Sequence, residues 1–268
     1  MLLTLAISLF VLSVVFHELG HFVAMRRCGV YVTEMGLGMP IGPGLSFTVG
    51  KDTPHPLKFS LYPLLLGAFV RNDPKCDIEA LPAGDRAFIY AAGPMANIIF
   101  TTVMLYILFA MNMDMSSVRF GPTMYPILGL LAGGTVFSLA FILFPRQISL
   151  YVCPVISLLL VWWFATLLAN ITPEQFVRSS GMVVVVQVAK VFSVTPSSVV
   201  YFAGLISFAL GAMNLLPIYL LDGGHLVGIY VAKLGERVLG VYKRFGSALI
   251  ILLMIIAVGE DIRKLFFT

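Results

Sequence analysis

Long runs of apolar residues, separated by short polar stretches, dominate the pattern along this chain. Six runs are long enough to enter or cross a bilayer, which takes about 20 residues per helix. They predict helices at roughly 2–25, 86–111, 124–144, 148–170, 199–221 and 245–259. The two middle runs are separated by only a few residues, which predicts a tight helical hairpin, and the last run is short. The pattern predicts an all-α polytopic membrane protein with about six transmembrane segments.

The region between the first two predicted helices has a different pattern. Residues 36–50 are rich in Gly and Pro, which indicates turns. Residues 58–70 are apolar but too short to span, and Pro63 and Gly67 interrupt them. We interpret this region as a small membrane-associated β-hairpin after the first helix. A later stretch, 172–198, is compatible with either a strand or a short surface helix.

Composition supports a membrane environment and excludes a soluble secreted enzyme. Of the 268 residues, 59% are hydrophobic and 11% are charged, against about 25% charged in an ordinary soluble domain. The net charge of +4 does not indicate nucleic acid, because Lys and Arg lie in short loops between apolar runs. With the N-terminus outside, inner loops hold 12 of them and outer loops 5, which favours both termini outside.

The first predicted helix contains the strongest chemical motif, His17-Glu18-Leu19-Gly20-His21. Residues four apart lie on one face of a helix, so both imidazoles can bind one metal ion, and zinc suits such ligands. Glu18 then lies beside the metal, where a carboxylate can accept a proton from water. Ionisable residues inside a membrane helix are costly and usually functional, which argues against a merely structural role.

Two histidines leave a zinc site one protein ligand short. Asp222 follows the fifth apolar run, on the same side of the membrane as the inner end of the first, and would complete a set of two histidines and a carboxylate. Alternatively, Asp222 only caps the following helix. His225 is a weaker ligand candidate, and His55 lies in a polar loop. The three cysteines form no CxxC pair, which argues against a cysteine zinc site.

Two asparagines in apolar helices also require an explanation. Asn97 lies in the second run and Asn214 in the fifth. Each side chain could hydrogen-bond to a neighbouring helix, or it could bind a substrate carbonyl or stabilise an oxyanion. The residues alone leave both readings open.

Three motifs together resemble the site-2 protease family of intramembrane metalloproteases: HELGH at 17–21, AGPMAN at 92–97 and NLLPIYLLDGG at 214–224. The resemblance implies one membrane-embedded protease domain over 1–268, with a catalytic core at about 1–112 and 175–245. An inserted hydrophobic hairpin, about 124–170, stands where many bacterial members carry a PDZ domain, so we expect a PDZ-less member. Tyr219 replaces a proline usual in the third motif, which puts the backbone shape before the aspartate in doubt.

The resemblance also implies an activity. We expect an intramembrane zinc metalloendopeptidase with one Zn²⁺ ion per chain, placed in the cell (inner) membrane with its active site toward the cytoplasm. Its substrates would be single-span membrane proteins, possibly pre-cleaved by another protease. The alternatives are a zinc or cation transporter and a catalytically inactive scaffold that binds membrane helices. The implied roles are zinc ligation by His17, His21 and Asp222, base catalysis by Glu18, and substrate binding by Asn97 and Asn214.

Overall fold

The computed structural model describes residues 1–63, 67–112, 124–168, 182–192 and 194–266. Its first half contains a long helix, a small sheet and a second long helix: α1 (Leu2–Arg27), β1 (Val32–Leu37), β2 (Leu45–Val49), β3 (Leu57–Leu61), β4 (Ala68–Asn72) and α2 (Ala83–Asn112). Helix α3 (Met124–Leu143) precedes α4, which begins at Pro145–Gln147, passes through a π-helical turn at Ile148–Val152 and continues over Cys153–Leu168. The remaining helices are α5 (Met182–Phe192), α6 (Pro196–Asn214), α7 (Asp222–Val231) and α8 (Glu236–Phe266).

Five helices in the described part of the chain are long and apolar enough to cross a membrane. Many of their large apolar side chains are exposed, as expected for surfaces that face lipid. The chain is therefore an integral, multi-pass membrane protein. The remaining predicted span, the run at 124–144, forms helix α3, which is 20 residues long. The five candidate spans are Leu2–Arg27, Ala83–Met111, Pro145–Trp163, Pro196–Asn214 and Glu236–Lys264.

Some predicted element boundaries are wrong. The run at 245–259 is the middle of a 31-residue helix, α8, whose ends carry charged residues. The run at 199–221 is helical only to Asn214, because Pro217 has no backbone N–H to continue the ladder and Leu220 has a φ of +86°. In the stretch 172–198, residues 182–192 form helix α5, whereas residues 172–181 lie outside the described ranges.

The four strands form one mixed sheet in the order β2-β3-β1-β4. Strand β1 pairs with β3 in parallel and with β4 antiparallel. The predicted small β region is confirmed, but its pairing as a hairpin over 58–70 is wrong. Strands β3 and β4 are consecutive in the sequence, yet β1 lies between them. Strand β4 is therefore an edge strand of the sheet, and it lies against α1.

Helices α1, α2 and α6 pack closely because small residues lie at their crossings. A Cβ atom at Gly20 of α1 would lie 2.3 Å from the carbonyl oxygen of Ala92 in α2. A Cβ atom at Gly211 of α6 would lie 3.0 Å from Cβ of Asn97 and 3.1 Å from the carbonyl oxygen of Pro94. Small residues are what allow membrane helices to approach to this distance. The HELGH and AGPMAN motifs therefore face each other across the crossings.

Candidate metal centre

The two motif histidines and Asp222 come together beside the C-terminal half of α1. His17 and His21 lie one helical turn apart and are 6% and 8% exposed, with their Nε2 atoms 3.2 Å apart. The Asp222 carboxylate lies 3.1 Å from His17 Nε2 and 3.4 Å from His21 Nε2. One ligand atom from each residue lies within 4.8 Å of the others, so the group could hold one metal ion.

The loop before Asp222 folds back over the first turn of α7. At Gly223 a Cβ atom would lie 2.0 Å from the carbonyl oxygen of Leu215, and at Gly224 it would lie 2.2 Å from that of Ile218. Only glycine allows this approach, which explains the Gly-Gly pair after the aspartate. Helix α7 has no side-chain capping hydrogen bond at its N-terminus, and the Asp222 carboxylate instead faces the imidazoles.

The tyrosine that replaces a proline in this loop does not displace the aspartate. The Tyr219 ring packs edge-on against Tyr242 of α8, with centroids 6.1 Å apart. The Tyr242 hydroxyl lies 3.0 Å from the carbonyl oxygen of Pro217 and 2.9 Å from that of Gly224. Hydrogen bonding by this hydroxyl ties the loop and the start of α7 to α8, which supports the backbone on both sides of Asp222.

Hydrogen bonds at the far side of each imidazole fix its tautomer. His17 Nδ1 lies 2.9 Å from Asn97 Oδ1, and His21 Nδ1 lies 2.8 Å from the backbone oxygen of Ile89. Both partners are carbonyl oxygens that only accept, so both Nδ1 atoms carry the hydrogen. Both Nε2 lone pairs then point toward each other and toward Asp222. With neutral rings, such an arrangement of acceptors favours a cation between them, and neutral imidazole with carboxylate suits zinc.

The space beside the imidazoles is kept open by a glycine of α2. A Cβ atom at Gly93 would lie 2.3 Å from His21 Nε2 and 2.6 Å from His17 Nε2. A side chain there would collide with both nitrogens and fill space beside them that an ion needs, given a zinc–nitrogen distance of about 2.0–2.1 Å. In addition, Asp222 Oδ2 is buried without a hydrogen-bond partner in the described part of the chain. The residues present therefore fit a zinc ion.

Glu18 lines three neighbouring cavities. An apolar groove of about 470 Å³ runs between α1 and the sheet, and a second cavity of about 300 Å³ lies between α1 and α6. The third, of about 340 Å³, contains His17, His21 and Asp222 as well and has a more polar lining. At the edge of the sheet, the backbone amide of Val70 interacts with the Glu18 carboxylate. Glu18 is therefore placed where the groove meets the metal centre.

Tyr90, which the sequence did not point to, lines the third cavity beside His225. The His225 ring stacks on Tyr90, with centroids 5.0 Å apart, and packs against Tyr219 at 4.6 Å. Burial lowers the pKa of His225 and favours its neutral form. The Tyr90 hydroxyl donates to Glu79 at 2.7 Å, and Arg86 pairs with Glu79 at 2.8 Å. Although burial opposes it, these two donors hold the pKa of Glu79 below its usual range.

The other two histidines lie outside the metal group. His225 faces the cavity from three residues beyond Asp222, but the ligand cluster does not include it. His55 stacks on Tyr31 in the loop region, with centroids 3.4 Å apart.

The two asparagines occupy different environments. Asn97 is 0% exposed, and its amide contacts His17 and Ser207. Ser207 also is 0% exposed, and nothing in the sequence separates it from any other serine in an apolar helix. Asn214 is partly buried, lines the second and third cavities with Glu18, and donates to the backbone oxygen of Leu210 at 3.1 Å.

Comparison with known proteins identifies the family. Residues 5–258 match the sequence profile of Peptidase family M50. The chain belongs to this family of zinc metalloproteases. The resemblance to site-2 proteases that the three motifs indicate is thereby confirmed.

Three relatives show how far the similarity extends. A putative zinc metalloprotease of Neisseria meningitidis is 47% identical over 70 residues, which are 24% of this chain and 16% of that protein. A putative zinc metalloprotease of Synechocystis is 34% identical over 111 residues, 37% of this chain and 29% of that protein. The regulator of sigma-E protease RseP of Salmonella typhimurium is 44% identical over 69 residues, which are 24% of this chain and 15% of that protein. The chain thus matches less than a third of each of these M50-type relatives.

Proposed function

We propose that this protein is an intramembrane zinc endopeptidase that hydrolyses peptide bonds in or near the transmembrane segments of other proteins. The observation that carries the proposal is the convergence of two Nε2 lone pairs and a carboxylate beside Glu18, at the end of a groove open to a peptide. His17, His21 and Asp222 would hold one Zn²⁺ ion per chain. Membership of Peptidase family M50 supports the same activity.

Each residue near the groove then has a defined task. Bound zinc supplies the Lewis acidity that polarises a scissile carbonyl and acidifies water. Glu18 accepts a proton from the attacking water and returns it to the departing amine. Asn214 lines the same cavities as Glu18, and no described residue hydrogen-bonds to its amide oxygen, so its amide is available to a substrate peptide group.

The substrate must be extended at the site of cleavage, because a helix hides its carbonyls in its own hydrogen bonds. An unwound segment that pairs with the free edge of β4 would regain part of that hydrogen bonding. Strand β4 lies next to α1, and Ala68 and Phe69 line the apolar groove together with Glu18. This edge is where we expect substrate to bind, instead of at β3, which is an inner strand of the sheet.

Partners and placement follow from the same function. We expect substrates that are single-span membrane proteins, possibly pre-cleaved by another protease, in line with the relative named as a regulator of sigma-E protease. The Lys and Arg distribution favours an active site toward the cytoplasmic side of the cell (inner) membrane. We treat 1–268 as one membrane-embedded domain in which the hydrophobic hairpin at about 124–170 is inserted into the core formed by about 1–112 and 175–245.

The decisive experiment compares wild type with Glu18→Gln in liposomes, following zinc content and cleavage of a panel of single-span membrane peptides. We expect Glu18→Gln to keep one zinc per chain and to lose at least about 100-fold in cleavage rate, as for removal of a general base. Glu236→Gln, the same change at an exposed position at the start of α8, is the control and should cut like wild type.

Cleavage by Glu18→Gln at the wild-type rate would contradict the proposal. If both proteins bound zinc and neither cut any peptide, zinc flux into the liposomes would be measured next. Flux in wild type would favour the transporter alternative, in which an intramembrane site of histidine and aspartate carries the ion.

A further inference from the structure

We infer that Asn97 is a positioning residue for His17, and that it does not bind substrate. The inference rests on the proposed metal site and concerns how one ligand is held in place. Asn97 is 0% exposed, and its Oδ1 lies 2.9 Å from His17 Nδ1. An acceptor that hydrogen-bonds to the far nitrogen of a metal-binding histidine fixes the orientation and the tautomer of its ring.

A chain of hydrogen bonds across three helices sets the direction of this contact. In α6, the backbone oxygen of Ser207 can only accept, and it lies 3.2 Å from Asn97 Nδ2. The Asn97 amide of α2 must therefore direct its nitrogen toward α6 and its oxygen toward α1. That oxygen also only accepts, so His17 Nδ1 must donate, and the Nε2 lone pair is left for the metal.

Further contacts hold the Asn97 amide in this orientation. Its Nδ2 lies 3.2 Å from Ser207 Oγ, and that hydroxyl lies 3.2 Å from the backbone oxygen of Asn97. Ser207 is itself 0% exposed. Rotating the Asn97 amide by half a turn would set two carbonyl oxygens against each other in a buried place, which is costly.

The geometry leaves Asn97 no free group for a substrate. Both ends of its amide are engaged within the protein, and it does not line any of the three described cavities that contain Glu18. Asn214, by contrast, lines two of them. The two asparagines that the family resemblance assigns to one role are therefore separated by burial and by their partners.

The two metal-binding histidines differ in how they are held. His21 Nδ1 donates to a backbone oxygen, that of Ile89, which no substitution removes. His17 depends on a side chain. Because that side chain is an amide, it orients the imidazole without placing a second negative charge beside the metal, as a carboxylate would.

The test measures zinc affinity of the full chain in detergent by competition with a chelator, together with the visible spectrum of the cobalt-substituted protein. Asn97→Leu removes the acceptor at similar volume, and we expect zinc affinity to fall by about 10- to 100-fold with a changed cobalt spectrum. Asn97→Asp restores the acceptor oxygen for His17 but sets its other oxygen against the Ser207 carbonyl oxygen, so we expect only part of the lost affinity to return.

Thr101→Val is the matched control. Thr101 lies one turn beyond Asn97 on α2, and its hydroxyl donates to the backbone oxygen of Asn97 at 2.8 Å and contacts that of Gly204 in α6 at 3.2 Å. Its loss weakens the same helix crossing without touching a histidine. We expect the zinc-free forms of Thr101→Val and Asn97→Leu to unfold at similar temperatures, while only Asn97→Leu loses zinc affinity.

Two results would overturn the inference. Wild-type zinc affinity in Asn97→Leu with only a raised KM would assign the residue to substrate, and equal losses in Asn97→Leu and Thr101→Val would mean general packing. A wild-type protein that binds zinc but cuts nothing would count against the proposed function and not against this inference.

Discussion

The helical core and the sheet contribute to the two sides of Glu18 in different ways. On the helical side, polar groups are paired in a fully buried network, and Asn97 and Ser207 are both 0% exposed. On the sheet side, β4 has a free edge, and the adjoining groove of about 470 Å³ is apolar and open. The proposed metal ligands therefore depend on fixed distances, whereas the proposed binding of a peptide depends on an accessible edge.

This difference gives an expectation for mutations in the two regions. A single methyl group in the helical core should affect metal binding strongly, because the ligands have no room to move. A change at the sheet should leave zinc bound and alter cleavage only. A mutation in one region that changed the property assigned to the other, such as a sheet mutation that released zinc, would show that the two regions are not independent.

The largest effect is expected from Gly93→Ala. Its Cβ atom would lie 2.3 Å from His21 Nε2 and 2.6 Å from His17 Nε2, where the proposed ligands converge. We expect zinc affinity to fall by about 100-fold or more. This is at least as large as the greatest losses seen when a hydrogen-bond partner of a metal ligand is removed. The zinc content that remains after dialysis against a chelator measures this loss of affinity.

Gly84→Ala, in the first turn of the same helix, is the control for Gly93→Ala. A Cβ atom at Gly84 would lie 3.6 Å from the Arg146 side chain, an ordinary contact. Both substitutions change the helix propensity of α2 in the same direction, so only the clash at the metal site differs. Full zinc content in Gly93→Ala would mean that the ion is bound elsewhere.

A smaller effect is expected from Val70→Pro, which tests the sheet side. The Val70 amide points from the β4 edge toward Glu18, and proline removes it. Because this amide lies beside Glu18 as well as on the edge offered to substrate, its loss should lower cleavage by roughly 2- to 10-fold, the equivalent of one main-chain hydrogen bond of about 0.5–1.5 kcal/mol. Zinc content should stay at the wild-type value.

The opposite edge of the sheet provides the comparison for Val70→Pro. Val49 ends β2, the other edge strand, and is exposed. Val49→Pro should cut like wild type, since two strands, β3 and β1, lie between β2 and β4. Equal losses in both variants would indicate damage to the whole sheet, and would count against binding of substrate at β4.

The division between the two regions also explains how far the sequence could be interpreted. His17, Glu18 and His21 were predictable because helical spacing alone places the two histidines on one face. Asp222 followed from counting membrane crossings and the charges of the loops. The spans of α1, α2 and α4 followed from apolar length, which is the strongest signal that a membrane protein offers.

The features that escaped prediction depend on contacts between distant parts of the chain. The insertion of β1 between β3 and β4 is decided by pairing partners, which alternating polarity does not encode. Gly93 appears as an ordinary helix glycine until α1 and α2 are packed together. Ser207 resembles any serine in an apolar helix, and only its contact with Asn97 shows its importance.

The smallest effect is expected from Glu34→Gln, which tests what holds the sheet together. Glu34 of β1 is 5% exposed, accepts from Ser60 of β3 at 2.5 Å, and pairs with Arg71 of β4 at 2.8 Å and with Lys58 of β3 at 3.2 Å. Although burial opposes it, these partners hold the pKa of Glu34 below its usual range. The carboxylate thus joins three adjacent strands, β3, β1 and β4.

The sign of the pH dependence follows from this lowered pKa. The stabilisation is present above the ordinary glutamate value of about 4.3 and is lost as the pH falls through the lower value of the folded protein. Glutamine keeps a partner for Ser60, and the Arg71 and Lys58 side chains are about half exposed. We therefore expect the sheet to lose only about 1 kcal/mol of stability against local unfolding.

Amide hydrogen exchange in β1 and β4 measures this loss and should become faster in Glu34→Gln near neutral pH. The wild-type sheet should approach that rate on acidification, once the intrinsic exchange rates are corrected for pH. If exchange in the variant matched wild type at neutral pH, the ion pairs would not stabilise the sheet, and its order would have to come from packing against α1.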